Sequence, residues 1–333
     1  MVKNSINKKN NREDNQSERV SQSLLFDGED SLPLLAFLRR LGRDLLSRDP
    51  PRGELQALPA DAPAVLIPPA QEIFFRLIHL VIHELEAGYT LKTMSESKFH
   101  VTRAHLVKFK VNTQKATTSD EKSGTIHRLG SMLDRVLRTV SPIYLANKRA
   151  NPELSHLLGL MRDYQDGSPT LFLIQYPFCL LPVSNRAPAY IKFFDHTMDI
   201  IRFNDPEMYM LILENIEIPQ NWETLFGTNE HLAASLWRGE YDVQTARRPS
   251  TFEPQLRPFK FMRHRPSHAQ EGAASVSEPR GTQFTPSDLS IALYLRMPFA
   301  FVSFAKSLHF IGELENIDGF LDLFPGLSDD SRR

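Results

Sequence analysis

His79 and His83 stand one helical turn apart, and Glu86 follows within the next turn. Two imidazoles at that spacing, with a carboxylate beyond them, can hold zinc or another divalent metal, and a bound metal can activate water for hydrolysis. The order H-x-x-x-H-E differs from the zincin pattern, because Glu84 points off the line of the two histidines. The plainer reading is a solvated face, since Glu72, Arg76, His79, His83 and Glu86 recur at helical steps and can pair along it. A second cluster, Asp195, His196 and Asp199, could bind the same kind of metal or move protons. Turns also favour aspartate for backbone reasons alone. No P-loop, nucleophile elbow or glycine-rich dinucleotide loop accompanies either cluster. Cys179 has apolar neighbours on both sides, whereas a catalytic thiol needs an electropositive and partly exposed setting. It reads as a buried structural residue.

Two other stretches carry the chemistry of binding. In R-P-F-K-F-M-R-H-R, the cations Arg257, Lys260, Arg263 and Arg265 alternate with Phe259 and Phe261. Cations interleaved with aromatic rings suit RNA, through stacking and phosphate contacts, or an anionic lipid surface. Near the C-terminus, G-F-L-D-L-F-P-G offers Phe320, Leu321 and Phe324 between acids, a pattern that can dock in a protein partner's groove. F-L-D-L-F resembles the short adaptor-binding peptides of endocytic proteins, and the resemblance covers those five residues alone.

The elements that position these groups follow from periodicity. Ile67 to Ala87 is the densest apolar run of the N-terminal half, opened by Pro68 and Pro69 and closed by Gly88. Apolar except for one polar stripe, it is expected to be the central core helix. A helix with Leu34, Leu35, Leu38, Leu41, Leu45 and Leu46 on its stripe precedes it. Residues 99–111 alternate like a strand, and Thr125 is expected to cap a helix that stops before Pro142. Residues 170–203 read as two or three strands separated by prolines, which place the Asp195–Asp199 cluster between strands. Thr285-Pro286 opens a strongly apolar helical segment through residue 311. It is expected to dock on the core, although its phenylalanines, with Arg296 and Lys306, would also suit a membrane interface.

The expected fold is α+β: a mainly helical core with a small antiparallel sheet. Residues 1–20, poor in anything to bury, are expected to be a disordered tail, and 21–244 the globular unit. Residues 245–285, rich in Pro and Arg, read as a flexible basic linker, and 286–333 as a C-terminal helical segment with an acidic, hydrophobic tail. The 333 residues are 41% hydrophobic and 24% charged, enough for a sizeable core. A net charge of −1 supplies no global field for nucleic acid or membrane, so such binding would need a local patch. The single cysteine rules out an intramolecular disulfide and a four-cysteine zinc site, and fits a reducing, cytoplasmic setting. No apolar run reaches the length of a membrane span. These features favour an intracellular interaction or adaptor protein without a cofactor. A metal-dependent hydrolase built on the two histidine clusters is the alternative.

Overall fold

A computed structural model describes residues 28–42, 44–47, 63–91, 93–110, 113–116, 118–148, 151–227, 256–267 and 286–324. The chain opens with β1 (Ser31–Pro33), α1 (Leu34–Arg40), β2 (Leu46–Ser47) and β3 (Val65–Leu66). Then come α2 (Pro68–Glu86), β4 (Tyr89–Leu91), β5 (Phe99–Thr102), β6 (Val107–Phe109) and β7 (Thr113–Lys115). The remainder is helical: α3 (Ser119–Val140), α4 (Pro142–Ala146), α5 (Pro152–Asp163), α6 (Leu171–Gln175) and α7 (Val183–His196). A π turn (Thr197–Ile201) leads into α8 (Arg202–Asn204), α9 (Pro206–Asn215) and α10 (Trp222–Gly227). Then follow α11 (Leu256–Ser267), α12 (Pro286–Arg296) and α13 (Ala300–Phe310).

The fold is α+β and mainly helical, with small antiparallel sheets ordered β1-β5-β6, β2-β3 and β4-β7. As expected, α2 is the central helix. Proline at its first position fits the helix start, and Gly88, at φ +84, turns the chain out of it as only glycine does without strain. Ile73, Phe74, Leu77, Ile78, Val81 and Ile82 are buried on nearly all sides, because α2 packs against β4, β6, α3, α6 and the turn Phe178–Leu180. The strand expected over 99–111 is a hairpin: β5 and β6 pair in register Phe99↔Phe109 and Val101↔Val107.

Three expectations are corrected. Residues 170–203 form α6, the Phe178–Leu180 turn, α7 and the π turn, and no strand. The buried side of α7 recurs at Arg186, Tyr190, Phe193, Thr197 and Ile201, a helical period that contains an arginine and a threonine. The helix expected from Thr125 begins at Ser119, where Thr118 accepts from the Glu121 amide at 3.2 Å and Glu121 reaches back to the Thr118 amide at 3.2 Å. Part of the segment expected to be a linker is α11, which packs on α7 and α12 with Phe259, Phe261 and Met262 buried. Residues 1–20 and the rest of 245–285 lie outside the described residues. The apolar segment from 286 breaks at Met297–Phe299, and α12 and α13 meet there at 83°. Both are buried in the core, and among the described residues no single helix is long and apolar enough to cross a membrane.

Two glycines make a matched test of helix packing. A Cβ at Gly130 of α3 would stand 2.8 Å from Met161 Cβ of α5, whereas one at Gly159 of α5 would meet nothing within 4 Å. Alanine gains up to about 1 kcal/mol over glycine in a helix. Gly159→Ala should therefore raise stability by that order, while at Gly130 overpacking of ~1–3 kcal/mol should outweigh the gain. Urea unfolding of both variants checks the opposite signs.

Candidate interaction surface

Helix α7 does not end cleanly. Its C-terminal turn widens into the π turn Thr197–Ile201, which inserts a residue into the helical register and re-aims the side chains after it. Before the insertion Phe193 and Phe194 face inward; after it Ile201 still does, but Ile200 is 45% exposed and Phe203 is 75% exposed. Asp205 then starts α9 by accepting from the Met208 amide at 3.0 Å. The Arg202 guanidinium lies over the Tyr209 ring, 5.6 Å from its centroid. On α9, Tyr209, Ile212 and Leu213 pack inward, and α9 lies against α13, whose Ser303 hydroxyl accepts from the Glu217 amide at 2.9 Å. Met208 is exposed, Met210 and Leu211 are half-buried, and Glu207 and Glu214 are exposed beside them. The stretch from the π turn to α9 thus exposes Ile200, Phe203 and Met208 together with several acids.

Three of the six candidate metal ligands, His79, Asp195 and His196, are engaged with other groups of the fold. His79 Nε2 is 3.0 Å from the Gln175 carbonyl, which only an N–H can satisfy, so that nitrogen donates. Its ring packs 4.1 Å from Phe75 and 5.2 Å from Tyr176. Burial pushes the imidazole down to about 4, against the opposing pull of the Gln175 carbonyl. His83 and Glu86 are exposed on the turns beyond it. Asp195 accepts from Arg263 Nε at 2.9 Å, and His196 Nε2 lies 2.9 Å from Glu313. Asp199 is exposed on the π turn. Among the described residues, no three His, Cys, Asp or Glu side chains gather where they could share a metal ion. Cys179 is buried as expected, and burial raises its thiol well above the ordinary range.

The candidate binding residues are also largely committed to the fold. Phe259 packs 5.8 Å from Phe304, and Phe261 packs 5.5 Å from Trp222 and 5.0 Å from Phe226. Lys260 is half-buried, and burial, helped by the Arg202 charge, lowers its ammonium. The Arg263 guanidinium lies over Phe194 as well as on Asp195. Arg257 and Arg265 lie within α11. An accessible ladder of alternating rings and cations is therefore not what this stretch presents: a helix turns its rings inward. The residues of the tail also lie within the fold. Phe320 and Phe324 are buried, with Phe320 5.2 Å from Phe193 and Phe324 5.5 Å from Phe75, and Leu321 is half-buried. The groove they occupy is the chain's own. Three polar contacts hold this segment antiparallel along α7: His196 to Glu313, Lys192 Nζ to the Asp318 carbonyl at 2.7 Å, and Asn185 Nδ2 to the Leu323 carbonyl at 2.5 Å.

No protein-family model matches this chain, and no curated protein resembles it in sequence. The exposed corner is not foreseeable from residue types alone. Its one sequence signal is the run D-I-I-R-F, where two isoleucines and a phenylalanine sit too close together for all to face the same way.

Proposed function

We propose that this chain is an intracellular interaction protein of the adaptor kind, and that a protein partner docks on the corner formed by the π turn, α8 and α9. The observation that carries the reading is Phe203, three-quarters exposed, with Ile200 and Met208 also exposed within the same short stretch of chain. A phenylalanine left in water forgoes roughly 1.5–3 kcal/mol of burial, and a cluster of such side chains marks a surface that another molecule covers. Methionine suits such a surface because its unbranched chain adapts to different partners. Of the residues of the hydrolase alternative, His79, Asp195 and His196 make contacts within the fold, to Gln175, Arg263 and Glu313. The lone buried Cys179 suits a reducing compartment such as the cytoplasm.

Selection of peptides from a displayed library against the full chain tests the reading. Peptides enriched on the natural sequence should bind Phe203→Ser at least ~10-fold more weakly, about 1.4 kcal/mol. The melting temperature should barely move, because Phe203 buries little. Equal binding of the enriched peptides to both proteins would remove the corner as the docking site.

A further inference from the structure

The margin of the exposed corner is acidic. From the π turn to Glu217, just past α9, Asp199, Asp205, Glu207, Glu214 and Glu217 outnumber Arg202, and the half-buried Lys260 of α11 is near Arg202. Asp205 uses one oxygen on the α9 amide, and Glu207 and Glu214 stay exposed, one on each side of Met210 and Leu211 along the helix. Apolar side chains flanked by carboxylates complement a ligand with apolar side chains flanked by cations.

The chain supplies a worked case on the same ridge. Helix α11 is itself basic and amphipathic, and it packs against α7, with its Lys260 near Arg202 of α8. Its Phe259 and Met262 enter the core, and its Arg263 sits on Asp195 and over the Phe194 ring. That contact uses a carboxylate and an aromatic ring of α7, and Asp199, Ile200, Phe203 and Glu207, all exposed, follow them in the chain. From these two observations we infer that the corner receives a basic amphipathic helix from a protein partner. The inference rests on the docking surface proposed above. Three turns of a helix, about 16 Å, span the length of α9. Apolar residues at i, i+3 or i+4 and i+7 would meet Ile200, Phe203 and Met208, and Lys or Arg on the flanks would meet Glu207 and Glu214. Against RNA or anionic lipid the same acids would repel.

Fluorescence anisotropy with three labelled peptides of roughly 18 residues, about five helical turns, tests this on the full chain. One carries Leu and Lys at helical spacing, one has Glu in place of Lys, and one is the Leu–Lys peptide scrambled to destroy its apolar face. The Leu–Lys helix should bind, more weakly as salt is added. It should lose ~10-fold in affinity both on Phe203→Ser and on the pair Glu207→Lys, Glu214→Lys; the other two peptides should bind at least that much more weakly. If the Leu–Glu helix binds equally well and both helices fail on Phe203→Ser, the corner is a docking site and the basic preference is overturned. If the Leu–Lys helix binds Phe203→Ser as it binds the natural sequence, both the preference and the docking site fall. Equal binding of the scrambled peptide, or no binding of the Leu–Lys helix at all, overturns the inference while the library selection judges the docking site separately. A near-natural melting temperature for each variant shows that lost binding is not lost folding.

Discussion

Arg186→Met should lower stability by about 3–5 kcal/mol, the cost of leaving a buried charge without its partner. Arg186 is 1% exposed on α7, and its guanidinium forks onto Glu153 of α5 with bonds of 2.9 and 2.7 Å. It also donates to the Phe178 carbonyl at 3.1 Å and lies 4.7 Å above the Tyr294 ring of α12. One side chain thus joins α5, α7, α12 and the Phe178–Leu180 turn. Burial already pushes the Glu153 carboxyl up against the pull of Arg186, so without the arginine it should take up a proton. The penalty should then shrink as pH falls through that raised value, since a neutral carboxyl is buried at less cost. The double variant Glu153→Leu with Arg186→Met should recover most of the loss, because an apolar pair of similar volume removes both charges together. Urea unfolding of the three proteins at about pH 7 decides it. A single-variant cost below about 1 kcal/mol, or a double variant no better than the single, would show that this pair is not the knot of the core.

The second large effect is a loss of stability in acid. His79 and His156 are each held down to about 4 from 6.5, in both cases mainly by burial. For His156 the positive charge of Lys306 adds to burial. The unfolded chain therefore binds protons that the folded chain refuses. Their contribution is complete above about pH 6.5, falls as pH drops from there toward 4, and changes no further below. At ~1.4 kcal/mol for each tenfold weakening of proton binding, and less for partial contact with water, each histidine should account for on the order of 2 kcal/mol. Replacing both with phenylalanine removes the titration. His79→Phe also breaks the Gln175 bond, which offsets stability equally at every pH. Between about pH 7 and 4 the difference from the natural sequence should therefore move by roughly 4 kcal/mol in favour of the variant. A pH-independent difference in urea unfolding would show that these imidazoles are already charged, or already wet, in the folded chain.

The legible parts of this fold are those whose local chemistry and burial agree. Helix α2 has proline at its start, glycine after its end and apolar residues on nearly every side, so periodicity and punctuation point the same way. Helix α7 reads as strands because its inward stripe contains Arg186 and Thr197, which break the apolar period, and because Pro188 looks like a strand end. The arginine is inward only because Glu153, far off in sequence, meets it there. Helix α11 looks like a linker for a related reason: Pro258, Phe259, Phe261 and Met262 are its buried residues, and its many cations stay outside the apolar count. The start of α3 is legible in Thr118-x-x-Glu121, which has the reciprocal capping pattern, but it stands inside a polar run that reads as one loop. Among the candidate site residues, Phe320 and Phe324 show in their sequence alone that they need a groove. Only the tertiary structure says whose groove it is.

That groove also sets a timetable for synthesis. Phe75 is made long before Phe324, yet their rings stack at 5.5 Å. At ~5–20 residues per second a ribosome takes about 12–50 s to go from one to the other. For all of that interval the face of α2 around Phe75 lacks the Phe324 ring, and once Phe178 and Phe193 are made they in turn await Phe320. Even when Phe324 is polymerised it must still clear the exit tunnel. Core closure in this protein thus waits until residue 324 has been made, and until then the apolar faces around Phe75, Phe178 and Phe193 lack their late partners.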